Sequence, residues 1–127
     1  MGYRSDIKYI IDFPSCEKRD QFIAMVKIRG DVHEVDVLKY WDIEEGAKYI
    51  LCSIEGWKWY DSFPEVIAQE KLLEESCEKD DDDNPLWEGS YLFLRVGENW
   101  DDNEEKYGGE DVPWGTVCFN RTIDFDI

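Results

Sequence analysis

Apolar residues recur with period two at the start of the chain. Tyr3, Ile7, Tyr9, Ile11 and Phe13 fall on one side of an extended segment, and Arg4, Asp6, Lys8 and Asp12 fall on the other. This is the pattern of a half-buried strand. Pro14 ends it and Ser15 offers an N-cap oxygen. Phe22, Ile23, Met25 and Val26 then form an apolar stripe, which predicts a helix from about Cys16 to Arg29 closed by Gly30. The next two apolar stretches, Val35 to Ile43 and Ala47 to Trp57, read as strands joined at Glu44-Glu45-Gly46, with a helical reading of Val32 to Trp41 competing for the first.

Ser62-Phe63-Pro64-Glu65 fits a capping box with proline in the first turn, and Val66, Ile67, Leu73 and Cys77 follow on one side. A second helix is therefore expected from about Phe63 to Glu78. Beyond Asp80 to Asn84 and Pro85, Tyr91 to Val96 is apolar on both faces, as a central strand is. Val117, Phe119, Arg121, Ile123, Phe125 and Ile127 alternate with polar neighbours and predict a closing strand, reached through a long connection from Gly97 to Gly115. The order strand, helix, strand, strand, helix, strand predicts an α+β domain of the ferredoxin-like split βαβ kind. Both helices would lie on one face of an antiparallel sheet, with one additional C-terminal strand.

At 127 residues, 43% hydrophobic and 15% aromatic, the chain reads as one folded domain with a real core. Charge adds what periodicity does not show. Residues 1 to 60 carry 11 acids against 9 bases, whereas 61 to 127 carry 20 against 5, and the net charge is -17. A sequence pI ≈ 4.2 disfavours direct contact with nucleic acid or anionic membrane and favours proteins that present lysine and arginine clusters. With no apolar run of membrane-spanning length and an opening that lacks the apolar core of a signal peptide, a cytoplasmic location is expected.

Candidate chemistry is sparse. Cys16, Cys52, Cys77 and Cys118 form no Cys-x-x-Cys pair, and reduced thiols are expected. Cys16 opens a helix, but a small cysteine there is read as structural. His33 is the sole histidine, nothing singles out a carboxylate pair, and no phosphate loop occurs, so no catalytic residue and no cofactor are assigned. Asp80-x-Asp82-x-Asn84 begins like a calcium loop, but Pro85 takes its glycine position and Tyr91 its closing glutamate. Asp101-x-Asn103-x-Glu105 fails likewise at Lys106, so no metal site is assigned. Trp41 and Trp57-Lys58-Trp59-Tyr60 are read as packing rather than as a ligand platform, with Trp57 and Trp59 sharing a face.

The acidic residues themselves are the candidate site. Glu70, Glu74 and Glu78 stand at i, i+4 spacing, and Asp80, Asp81, Asp82 and Asp83 prolong that line of charge. In the long connection Asp101, Asp102, Glu104, Glu105, Glu110 and Asp111 lie beside Trp100 and Trp114, and aromatic residues among charges can anchor an interface. Together these imitate the phosphates of DNA facing a basic protein groove. The competing reading is that such runs are solvated loops that keep a protein soluble.

The opening Met1-Gly2-Tyr3-Arg4-Ser5-Asp6-Ile7 resembles that of small proteins encoded by tailed bacteriophages. The resemblance covers those seven residues and the general style of the chain, and it brings no catalytic residues. It implies a host cytoplasm, where such proteins block nucleases, restriction enzymes, CRISPR complexes or polymerases by DNA mimicry. The expectation is thus a non-enzymatic acidic inhibitor that binds the basic surface of a nucleic-acid-handling host protein. A small regulatory or ligand-binding module and a structural virion component, each with incidental acidity, are the alternatives, and homodimerisation is left open.

Overall fold

The computed structural model describes residues 3–29, 37–60, 62–99, 101–114, 117–119 and 123–125. The first strand, β1 (Ser5–Asp12), is followed by helix α1 (Cys16–Arg29), as the sequence pattern predicts. Ser15 caps α1, its Oγ accepting the Lys18 amide at 3.1 Å. The expected stop at Gly30 lies outside the described residues.

The stretch expected as a strand from Val35 to Ile43 is mostly something else. Residues 30–36 lie outside the described residues. Val37–Tyr40 forms a 3-10 turn, and only Trp41–Asp42 (β2) pairs in the sheet. Leu38, Tyr40 and Trp41 all pack on the same core, and a period-two strand cannot point neighbours such as Tyr40 and Trp41 the same way. The helical reading is therefore the better one for Val37–Tyr40. A turn closed by the Ala47 amide on the Glu44 carbonyl leads to β3 (Tyr49–Trp57).

Helix α2 (Pro64–Ser76) is shorter than expected and has Pro64 in its first turn. Its N-cap is Phe63 with no side-chain cap hydrogen bond, so the Ser62–Glu65 capping box is not formed. β4 (Ser90–Gly97) is the expected central strand. The connection expected from Gly97 to Gly115 contains a strand of its own, β5 (Asn103–Gly108), paired along β4. The closing strand expected over 117–127 is instead two short strands, β6 (Val117–Phe119) and β7 (Ile123–Phe125), paired with each other in a separate two-stranded sheet. The fifth strand of the main sheet is thus β5 and not the C-terminal segment.

The main sheet is antiparallel throughout, in the order β2-β3-β1-β4-β5. Alternation along β1 and β4 places Ile7, Tyr9, Ile11, Tyr91 and Phe93 on the face that both helices cover, packed against Phe22, Val26, Val66, Leu72 and Leu73. Ile10, Leu92 and Leu94 point the other way and are also buried, with Leu51, Val96 and Val112 around them. The β6–β7 hairpin lies beside β1 and β4, two interior strands whose edges are taken, so it covers this second face.

A polar network runs through the helix-side core. The Trp41 indole donates to the Tyr9 hydroxyl at 2.8 Å, and that hydroxyl donates to Gln69 Oε1 at 2.7 Å. Gln69 Nε2 in turn donates to the Glu65 carbonyl at 3.1 Å. β1, β2 and α2 are thereby fixed in one register, because each buried polar atom in this chain would lose its partner if an element slid. Tyr9→Phe keeps the ring but strands Trp41 Nε1 and leaves Gln69 Oε1 only the weak Cys52 thiol donor at 3.7 Å, and is expected to cost about 1–3 kcal/mol in urea unfolding. Unchanged stability would show that the network does not hold the register.

Candidate acidic interface

Helix α2 presents Glu74 to solvent, but Glu70 is half-buried and bonded to Lys106 of β5 at 2.9 Å. Burial works to lower the Lys106 pKa, but the Glu70 hydrogen bond and the Glu70 and Glu104 charges outweigh it, and the net direction is up. Its ammonium also sits 5.5 Å from the centre of the Phe93 ring. Glu78 lies beyond the C-cap, Cys77, and is off the helix. The expected i, i+4 line of three carboxylates is therefore reduced to Glu74, since Glu70 joins the edge strand to the helix and Glu78 belongs to the following loop.

That loop folds back tightly. The Asp80 amide donates to the Asn84 carbonyl at 2.8 Å, and Asp80 Oδ1 accepts the amides of Asp82 and Asn84, each at 2.9 Å. Asp83 takes a left-handed conformation, φ 64°, which aspartate tolerates better than most residues. The loop is tied to the end of α2 where the Gly89 amide meets the Ser76 carbonyl at 2.8 Å. A Cβ on Gly89 would stand 2.6 Å from that oxygen, so only glycine permits the approach. Asp80 is thus largely structural, while Asp81, Asp82 and Asp83 are exposed.

β5 separates the remaining acids. Asp101 and Asp102 lie at its start and Glu110 and Asp111 just past its end, so the strand holds them roughly 17 Å apart. Glu104 faces the helix side with Lys106, and Glu105 faces the other side. Asp102 is held by Arg95, whose two nitrogens reach its carboxylate at 2.9 and 3.2 Å, and by the Tyr3 hydroxyl at 2.6 Å. The Arg95 hydrogen bond, followed by that from Tyr3, keeps the Asp102 pKa below the usual carboxylate value. Glu110 instead joins the other end, bonded to Lys79 at 3.2 Å, while Lys79 also meets Asp83 at 3.8 Å. The acids expected to form one surface therefore form two, and the set around Asp81–Asp83, Glu110 and Asp111 is the larger exposed group. Trp100 lies outside the described residues.

Two features of this end were not foreseen. Tyr107 and Trp114 pair with ring centroids 4.7 Å apart and remain 58% and 57% exposed. Trp114 had been singled out, but Tyr107 was hidden in an acidic stretch whose strand character was missed. A cleft of ≈ 590 Å³ opens where β1, β4, the 77–89 loop and the 109–113 turn meet, and it is lined by Asp12, Lys48, Glu88 and Asp111 among others. No short motif announces it, because its walls come from four separate parts of the chain.

Among the described residues, no group of three or more His, Cys, Asp or Glu side chains is arranged to hold a metal ion. Burial pushes the Cys52 thiol up to about 12 and raises Cys77 as well, the opposite of what a reactive thiolate requires. His33 lies outside the described residues. Trp57 and Trp59 pack together, ring centroids 6.3 Å apart, at the margin of the helix-side core, as expected.

Because the folded-state pKa of Asp102 is depressed, its contribution to stability is present above the unfolded value and is lost as pH falls through the folded one. Asp102→Asn is expected to lower the melting temperature at neutral pH, with the gap to the parent protein closing below about pH 4. Thermal unfolding of both proteins across the acid range checks this, and a pH-independent gap would contradict it.

Compared with known proteins, the chain matches no family model, no curated protein and no solved structure.

Proposed function

We propose that this protein is a non-enzymatic binding protein whose acidic end engages a basic surface on a nucleic-acid-handling protein and competes there with DNA. The observation that carries this reading is the exposed Tyr107–Trp114 pair, with exposed Glu110 and Asp111 on the segment that connects the two rings. Exposed acids alone serve solubility, and that role gives no reason to leave two large rings in water. Aromatic anchors ringed by charge are what a protein interface uses. The Asp81–Asp83 turn and Glu88 enlarge the negative field on the same end of the sheet.

The resemblance of the opening residues to tailed-phage proteins supports a bacterial host protein as the partner, whether nuclease, restriction enzyme, CRISPR complex or polymerase. The strand order β2-β3-β1-β4 with α1 after β1 and α2 after β3 supports a ferredoxin-like arrangement, extended by β5 at one edge. Such a scaffold offers a rigid sheet end on which carboxylates keep fixed spacing. Raised thiol pKa values argue against Cys52 and Cys77 as nucleophiles.

Tagged protein incubated with bacterial lysate is expected to capture a partner at low salt and release it at high salt. Trp114→Ala is expected to weaken that capture by about 2 kcal/mol, the scale of an interface anchor. Asp81→Asn with Asp82→Asn should weaken it further without altering the melting temperature. Capture that survives both changes and high salt would overturn the reading.

A further inference from the structure

The cleft at this end is built of two kinds of wall. Phe13, Pro85 and Val112 give it an apolar side, and Asp12, Glu88 and Asp111 bring carboxylates to it. Its ≈ 590 Å³ is ample for one long side chain together with water.

Asp12 is the unusual member. Its side chain is only 21% exposed, and Lys48 approaches it no closer than 3.9 Å, with 57% of the lysine side chain in solvent. That distance is well outside the roughly 2.7–2.9 Å of a charge-assisted hydrogen bond. Burial raises the Asp12 pKa, Lys48 and a backbone hydrogen bond at Phe13 oppose the rise in part, and the charge of Asp111 adds to it. Asp12 pairs across the sheet with Ser90, whose Oγ accepts the Asp111 amide at 3.0 Å, so the two carboxylates border the same cleft. Lys79, the other lysine of the lining, is engaged by Glu110 and Asp83.

We propose that this cleft receives an arginine side chain from the protein partner, its methylenes against Phe13, Pro85 and Val112 and its guanidinium donating to Asp12 and Asp111. The proposal rests on the reading of this end as a partner-binding face and adds the group that enters it. Arginine suits the site better than lysine for two reasons. Its planar fork of five donors can bridge two separated carboxylates, and it is more weakly hydrated, so entering a partly dry cleft costs it less. Lys48 and Lys79 already supply ammonium groups to the walls, and neither bridges Asp12 to Asp111.

The test uses the full chain and a defined probe. Isotope-labelled protein is titrated with Nα-acetyl-arginine methylamide, and its amide shifts are compared with those given by the neutral citrulline counterpart and by spermidine. The arginine probe is expected to give saturable shifts concentrated at Phe13, Gly89, Ser90 and Asp111, and the citrulline probe none. Asp12→Asn and the more exposed Asp111→Asn are each expected to weaken binding roughly tenfold, the effect of removing one charge-assisted hydrogen bond. Glu55→Gln changes net charge equally but lies on β3, outside the cleft lining and the proposed binding face, and should leave affinity within about twofold.

Shifts spread evenly over the acidic surface, equal binding of citrulline, or equal losses from Glu55→Gln would overturn the proposal. Preferential binding of spermidine in the cleft would also overturn it, and would point to a free polyamine. Failure of the arginine probe alongside intact capture of a partner would remove this inference and leave the proposed function standing. Arginine binding without any partner capture would do the reverse.

Discussion

The structure depends on β1, which is paired along both edges and buried on both faces. It is flanked by β3 and β4, so the two helices that follow β1 and β3 must lie over its helix-side residues. Tyr9 adds direction to that constraint, since its hydroxyl links a tryptophan of β2 to a glutamine of α2 within the dry core. Hydrophobic burial supplies the driving force, and the polar chain selects one register among many that would bury similar area. Asp12, the last residue of this same strand, is carried by it into the cleft. The core and the candidate site therefore share one strand.

A net charge of -17 opposes compaction, and the few bases of the acidic half counter this through placement. Arg95 ties β4 to the turn before β5, Lys106 ties β5 to α2, and Lys79 ties the 77–89 loop to the segment after β5. Each of these three bases joins segments that would otherwise repel. Around the cleft, Asp81, Asp82 and Asp111 are exposed and take part in none of these tethers, whereas Glu110 and Asp83 are exposed and tethered at once.

β1, α1, α2 and β4 were legible in the sequence because their buried positions are apolar and their ends carry proline, serine or a change of period. β5 was not, because its inward positions are Glu104, Lys106 and Gly108, of which the two charged ones are only partly covered and are ion-paired at a sheet edge, so that the strand carries no hydrophobic alternation. The segment before β3 misled for the opposite reason, since Leu38, Tyr40 and Trp41 are all apolar yet share one core without a strand's period. The acidic site was legible in kind but not in geometry. Charge density marked the right half of the chain, while the division between tethered Glu70 and Asp102 and exposed, untethered Asp81, Asp82 and Asp111 depends on which lysine or arginine the fold brings near. Glu88 and Asp12 escaped notice because they belong to the site through topology alone.

The central claim is that the acidic end occupies a surface where a partner would otherwise hold nucleic acid. It is tested most directly by adding duplex DNA to the complex captured from bacterial lysate and measuring how much partner remains bound. The account predicts displacement that rises with DNA concentration and a partner that itself binds DNA. A partner retained at saturating DNA would contradict it.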